Sequence, residues 1–238
     1  MIFDGHSDIF SDVRYKREAG ETQVLKNHHL DRLRKGGIGG ACFVIWADTY
    51  NGHAPKDEME AIVKGIKGEM AETKEFVLIH NVEELKAAEA AGKFAILLGI
   101  EGLAGIGEDL SKIDELYDLG ARHAMLTWNE ENALATGVKG DPNRGVTELG
   151  KQAIKKLQEK KMILDVSHIN EKSFWDVIDL ATGPILASHS NAKALASAAR
   201  NLTDDQLRAI RDTNGLVGLN ASVILSATTR QSRMLTIW

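Results

Sequence analysis

Five side chains able to hold a metal ion stand at the ends of short apolar runs: His6 and Asp8 in FDGHSDIF, Glu101 in LLGIEG, His168 in ILDVSH and His189 in ILASHS. Imidazole and carboxylate together are the donor set of zinc-like ions. His6 and Asp8 are two residues apart, which puts both side chains on one face of a strand and suits two ligands on one ion. A carboxylate closing an apolar strand, as Glu101 does, is costly to bury without a partner, and a metal bridge would use both its oxygens. Each residue alone has a plainer reading. H-x-D can be a strand-end pair bonding the backbone, Glu101 a turn residue or an ion-pair partner, and a single histidine a hydrogen-bonded structural group. Recurrence favours metal: five donors at the same end of successive units point to a pair of zinc-like ions.

The elements that must position these donors alternate along the chain. Strands are predicted at 2–8, 41–46, 95–100, 123–127, 163–167, 185–188 and 216–219, and helices at 29–35, 57–74, 82–91, 110–119, 147–160, 171–180 and 204–212. Gly36-Gly37 supplies a helix stop. Asn81 reads as an N-cap with Glu84 three residues on, and Thr203 with Gln206 reads as a capping box. Alternation of this kind implies parallel strands joined by helical crossovers. The class expected is α/β, a TIM-like (β/α)8 barrel, in which the C-terminal strand ends converge on one mouth. Seven strands are counted where a closed barrel needs eight, so the last β/α unit is expected to be missing. Residues 221–238 follow neither a helical nor a strand period and form an anomalous tail. The whole of 1–238 reads as a single, incomplete domain, whose first and seventh strands become edges able to pair with another chain, so a homodimer is among the expected partners.

Composition sets the outer limits. At 238 residues and 43% hydrophobic, the chain can bury one substantial core. A net charge of −5 and a pI near 5.9 argue against nucleic acid or an anionic membrane as the partner. The N-terminus shows no secretory pattern, and no apolar run approaches the roughly 20 residues of a membrane span. The lone cysteine, Cys42, sits in the apolar run ACFVIW and reads as buried and inert. A cytoplasmic location is the expectation.

Other candidates carry less. His28 and His29 are placed at a helix start, His53 and His80 in polar turns, and His123 at the opening of an apolar strand. Asp165, two residues before Ser167, is a strand carboxylate that could orient a ligand from behind. GGIGG at 36–40 lacks the following helix that a phosphate-binding loop requires.

Taken in order, DGHSD, GIEG, LTWNEENALATG, DVSH and ASHSNAKALASAARNLTDDQL resemble the membrane dipeptidase (renal dipeptidase) family of zinc peptidases, from about Phe3 to Asn220. The resemblance implies two zinc ions on an α/β barrel, with His6 and Asp8 on the first, His168 and His189 on the second, and Glu101 catalytic as the bridge. It implies a dipeptide substrate, including one with a C-terminal D-residue, and hydrolysis by a water or hydroxide shared between the ions. Arg200 matches an arginine that grips the substrate carboxylate, for which a planar guanidinium is suited. Trp128 and Asn129 are expected to contact substrate. Trp128 stands where well-known members carry a histidine, and indole can donate one hydrogen bond but cannot become cationic. The family's catalytic aspartate lies in a G-x-D-x-D-G-like segment, and no such segment follows His189. The expectation is metal binding with little turnover. Two alternatives stand beside it, another binuclear amidohydrolase acting on lactams or cyclic amides, and a non-catalytic fragment.

Overall fold

A computed structural model describes residues 1–47, 52–222 and 225. It divides into two compact units, residues 1–124 and 125–238. The first unit contains β1 (Ile2–Ser7), α1 (Ile9–Glu18), a π-helical turn (Leu25–Leu30), α2 (Asp31–Lys35), β2 (Ile38–Trp46), α3 (Pro55–Glu72), β3 (Phe76–Leu78), α4 (Val82–Ala90), β4 (Phe94–Glu101) and α5 (Lys112–Leu119). Its strands form one sheet in the order β1-β2-β4-β3, with every pairing parallel. β2 and β4 are its centre, apolar on both faces, as a sheet covered on each side requires. Phe43 packs edge-on against Phe10 of α1 at 5.4 Å between ring centroids and stacks on Phe94 at 5.6 Å.

β5 (His123–Met125) leads into the second unit, which continues with α6 (Glu148–Glu159), β6 (Ile163–Asp165), α7 (Glu171–Leu180), β7 (Ile185–Ala187), α8 (Asp204–Asp212) and β8 (Leu216–Val217). The sheet order is β5-β6-β7-β8, and β7 pairs in parallel with both β6 and β8. Leu164, Ile185 and Ala187 are buried with Ile154 and Leu157 of α6, Phe174 and Val177 of α7 and Ile210 of α8. Asn81, Thr147, Asn170 and Thr203 cap their helices by accepting from the backbone N–H three residues on. The capping box of Thr203 and Gln206 is formed as expected.

The count of seven strands needs correction: the described residues hold eight. All seven expected strands are present, and the addition is β3, three residues lying against the first half of β4. Its run is short and directly preceded by Lys74 and Glu75, so it offers too few positions for a periodic signal. The last expected strand does end its sheet: among the described residues, β8 has β7 as its sheet neighbour, and β1 has β2. Both expose apolar side chains, Ile2 and Phe3 on β1 and Leu216 on β8. Helix α1 also escaped the sequence reading. Its buried face is Phe10, Val13 and Arg14, and the arginine is admitted by an ion pair to buried Glu58 at 3.2 Å. An apolar period cannot register a face that is one-third guanidinium. Histidines 28 and 29 lie in the π-helical turn just before α2, beside Glu21 and Asp12. Most of the tail expected at 221–238 lies outside the described residues. Among the described residues, no helix is long and apolar enough to cross a membrane.

One glycine sets the depth at which β4 packs. A Cβ on Gly99 would lie 2.5 Å from His123 Nδ1, 2.8 Å from Cys42 Sγ and 3.0 Å from Val44 Cγ1. Gly99→Ala should therefore overpack the sheet beside Glu101 and cost about 1–3 kcal/mol, read from the denaturation midpoint. An unchanged midpoint would show that β4 can shift without strain.

Candidate metal centre

In the first unit the donors come from strand ends. β1 loses register against β2 between Asp4 and Ser7, the kind of irregularity that re-aims a side chain. His6 lies inside that interval. Its Nε2 is 3.5 Å from Asp8 Oδ1 and 3.3 Å from Glu101 Oε2. Asp8 follows the strand directly and occupies the N-cap position of α1 without capping it. Glu101 is the last residue of β4, in register with Trp46 at the end of β2, and is only 4% exposed. Imidazole and two carboxylates therefore meet around His6, with one carboxylate exposed and the other buried.

That arrangement governs the proton on His6. Burial works against its charge, but hydrogen bonds to Asp8 and Glu101, and the fields of both carboxylates, outweigh burial and raise its pKa from 6.5 to about 10. Two carboxylates that hold a proton this firmly are equally suited to a metal cation, which would displace it.

In the second unit, His168 and His189 follow β6 and β7, and their Nε2 atoms lie 2.8 Å apart. The other ring nitrogens set the tautomers. His168 Nδ1 is 2.9 Å from Asn129 Oδ1, an acceptor, so Nδ1 carries the proton and Nε2 presents a lone pair. His189 Nδ1 is 2.8 Å from the Ser188 hydroxyl, which can accept from it in the same way. Two lone pairs at this separation repel each other unless a proton or a metal cation lies between or beside them. The donor set thus fits a metal. His168 also has φ of +73°, a left-handed backbone that is uncommon outside glycine and that clusters at functional sites.

The segment after β5 is built to hold this pair. Val138 N donates to His168 O and Lys139 N to Asn129 O, while Asn132 and Arg144 tie the loop to itself through its carbonyls. Trp128 lies with its ring 6.0 Å from the His168 ring, and Lys139 Nζ sits 5.4 Å above the indole. Arg200 is half-buried in the turns between β7 and α8, a segment closed by the bridge between Ala192 and Leu202.

All five metal-capable residues expected from sequence therefore lie at or just past strand ends. Within each unit they are in mutual contact. Asn129, expected at the substrate, is seen orienting His168. Sequence reasoning missed Ser188 altogether, although its position next to His189 was a usable signal. Asp165, expected to orient a ligand from behind, is 1% exposed. Cys42 is buried, and GGIGG leads into strand β2 rather than a helix.

Comparison with known proteins adds a further finding. A family model described as membrane dipeptidase (Peptidase family M19) matches residues 1–236. An uncharacterised protein from the PQQ-III 3′ region of Acinetobacter calcoaceticus is 31% identical over 253 residues, covering 93% of this chain and 80% of its own length. The crystal structure of dipeptidase AC, a metallo peptidase, matches with a TM-score of 0.85 at 27% identity, covering 98% of this chain and 75% of that one. A metallo peptidase from Rhodobacter sphaeroides, liganded with a phosphinate mimic of the dipeptide L-Ala-D-Ala, matches with the same TM-score and identity, over 98% of this chain and 76% of that one. These likenesses bear out the TIM-like α/β class expected from the sequence.

Two outcomes follow from the local geometry. Because the folded pKa of His6 lies above its unfolded value, its charge contributes stability that is complete below 6.5 and lost as pH rises through about 10. The chelator-treated chain should therefore lose thermal stability across that window, and His6→Gln should flatten the loss. An equally steep loss in the variant would contradict the assignment. Asn129→Ala frees the His168 tautomer and should weaken zinc binding roughly 10–100-fold in chelator competition. Unchanged affinity would remove Asn129 from this role.

Proposed function

The chain belongs to the membrane dipeptidase family, and from that premise we propose that it is a metallo-dipeptidase acting on dipeptides, including those with a C-terminal D-residue. In this reading His6 and Asp8 would hold one zinc ion, His168 and His189 a second, and Glu101 would be the ligand common to both. The observation that carries it is the facing pair of Nε2 atoms on His168 and His189. Zinc held by these residues would supply a water of lowered pKa and a Lewis acid for the scissile carbonyl.

The remaining work falls to the chain itself. Asn129 and Ser188 hold the imidazole protons on Nδ1, leaving Nε2 as the donor. Glu101, buried beside His6, brings a negative charge that a bare apolar strand end could not keep. Arg200 offers a guanidinium for the free carboxylate of a dipeptide, and Trp128 a flat apolar wall with one N–H donor. The dipeptide class is supported by the phosphinate dipeptide mimic bound to the Rhodobacter sphaeroides peptidase. A cytoplasmic site of action accords with the single buried thiol, Cys42.

The 238 residues contain no counterpart of the family's aspartate segment after His189. General acid–base help typically contributes 10²–10⁴-fold, so these 238 residues by themselves should turn over dipeptide more slowly than a chain carrying that segment, by about that factor, while ligand binding persists. The test pairs hydrolysis of L-Ala-D-Ala with binding of its phosphinate mimic by the zinc-loaded chain. Binding should vanish on chelation and in His189→Ala, with slow but metal-dependent hydrolysis. Failure of the loaded chain to bind the mimic, with hydrolysis of a lactam instead, would move the protein to a different amidohydrolase activity.

A further inference from the structure

The histidine pair of the second unit depends on a carboxylate that binds the backbone beside it. Asp165 is the last residue of β6, aligned with Leu186 of β7. One rung later, Val166 N donates to Leu186 O, and both strands then end. Beyond that rung the carboxylate of Asp165 takes over. Its Oδ1 accepts from Ser167 N at 2.7 Å, and Ser188 N lies 3.3 Å from Oδ1 and 3.2 Å from Oδ2. Ser167 and Ser188 are both buried, and each directly precedes one of the two histidines. Ser167 completes the link, its hydroxyl lying 3.3 Å from His189 N.

We infer that Asp165 is a positioning residue: one buried carboxylate clamps the backbones of Ser167 and Ser188 and thereby fixes the separation of the His168 and His189 donor atoms. The charge matters as well as the shape. A carboxylate is acceptor-only and can take N–H groups from two strands at once, whereas an amide must turn a donor toward one of them. Positive φ at His168 makes the clamp necessary, because that backbone would relax if its neighbour were released. The expected effect on zinc rests on the metal reading above, and the effect on the histidine pair does not.

The experiment compares wild type with Asp165→Asn, which keeps the volume. In the metal-free chain, ¹⁵N NMR of the imidazoles should show the His168–His189 pair sharing a downfield Nε2 proton. That signal should disappear in the folded variant, and zinc affinity by chelator competition should fall roughly 10–100-fold. A folded Asp165→Asn protein that keeps both the shared proton and wild-type affinity would overturn the inference. If Asp165→Asn does not fold, Asp165→Glu retains the charge but displaces it by a methylene. It should weaken zinc binding and perturb the shared proton, and wild-type behaviour there would equally overturn it. Should wild type share the proton but take up no zinc, the metal reading fails while loss of the pairing signal in the variant still supports the clamp.

Discussion

Lone pairs and negative charges aimed at one another inside a protein must be reconciled by positive charge, and much of this chain's local construction answers that constraint. In the second unit two imidazole nitrogens face each other at 2.8 Å, and the far nitrogen of each ring is hydrogen-bonded to a neighbour, Asn129 or Ser188. In the first, a buried carboxylate and an exposed one both lie against Nε2 of a single imidazole. Neither arrangement is a good packing solution in itself. An apolar residue at Glu101 or His189 would remove a desolvation cost without disturbing a strand. What the protein gains from keeping them is a set of donors already held in place for a cation.

The same device delivers the donors in both units. A parallel ladder runs until its last rung, the strands stop, and side chains take over satisfaction of the backbone. At β6 and β7 the carboxylate of Asp165 does this for two strands together. At β1 the register slips against β2 just where His6 stands, and Asp4 Oδ1 accepts from His6 N at 3.2 Å. The ligand-bearing residues therefore sit where backbone geometry is no longer dictated by the sheet, yet is still rigid. Rigidity at those points comes from buried polar contacts, which is why Ser167, Ser188 and Asn170 are enclosed while the loops around them are polar. Such positions suit a metal, whose affinity is sensitive to small errors in ligand placement.

Much of this was legible in the sequence, for definite reasons. Central strands such as β2 and β4 are apolar on both faces, so their runs stand out, and the capping residues Asn81 and Thr203 announce helix starts through chemistry that acts within three residues. The metal-capable residues were visible because each interrupts or terminates an apolar run. What stayed hidden depends on distant partners. Helix α1 buries an arginine whose partners are Glu18 one turn on and buried Glu58, over forty positions away. β3 is three residues long and gains its identity from pairing with β4. The orienting part played by Asn129 is a hydrogen-bond geometry across 39 positions, and no spacing rule announces it. The predicted strands at 163–167 and 185–188 ran past their observed ends for a related reason: the residues there keep the composition of a strand while Asp165 diverts their backbone.

The central claim is that strand-end donors exist to hold metal. It is tested most directly by counting zinc per chain in the monodisperse, purified protein, with His168→Ala prepared in parallel. The account predicts close to two ions per wild-type chain and a clear loss in the variant. A wild-type count near zero, or one that His168→Ala leaves unchanged, would contradict it.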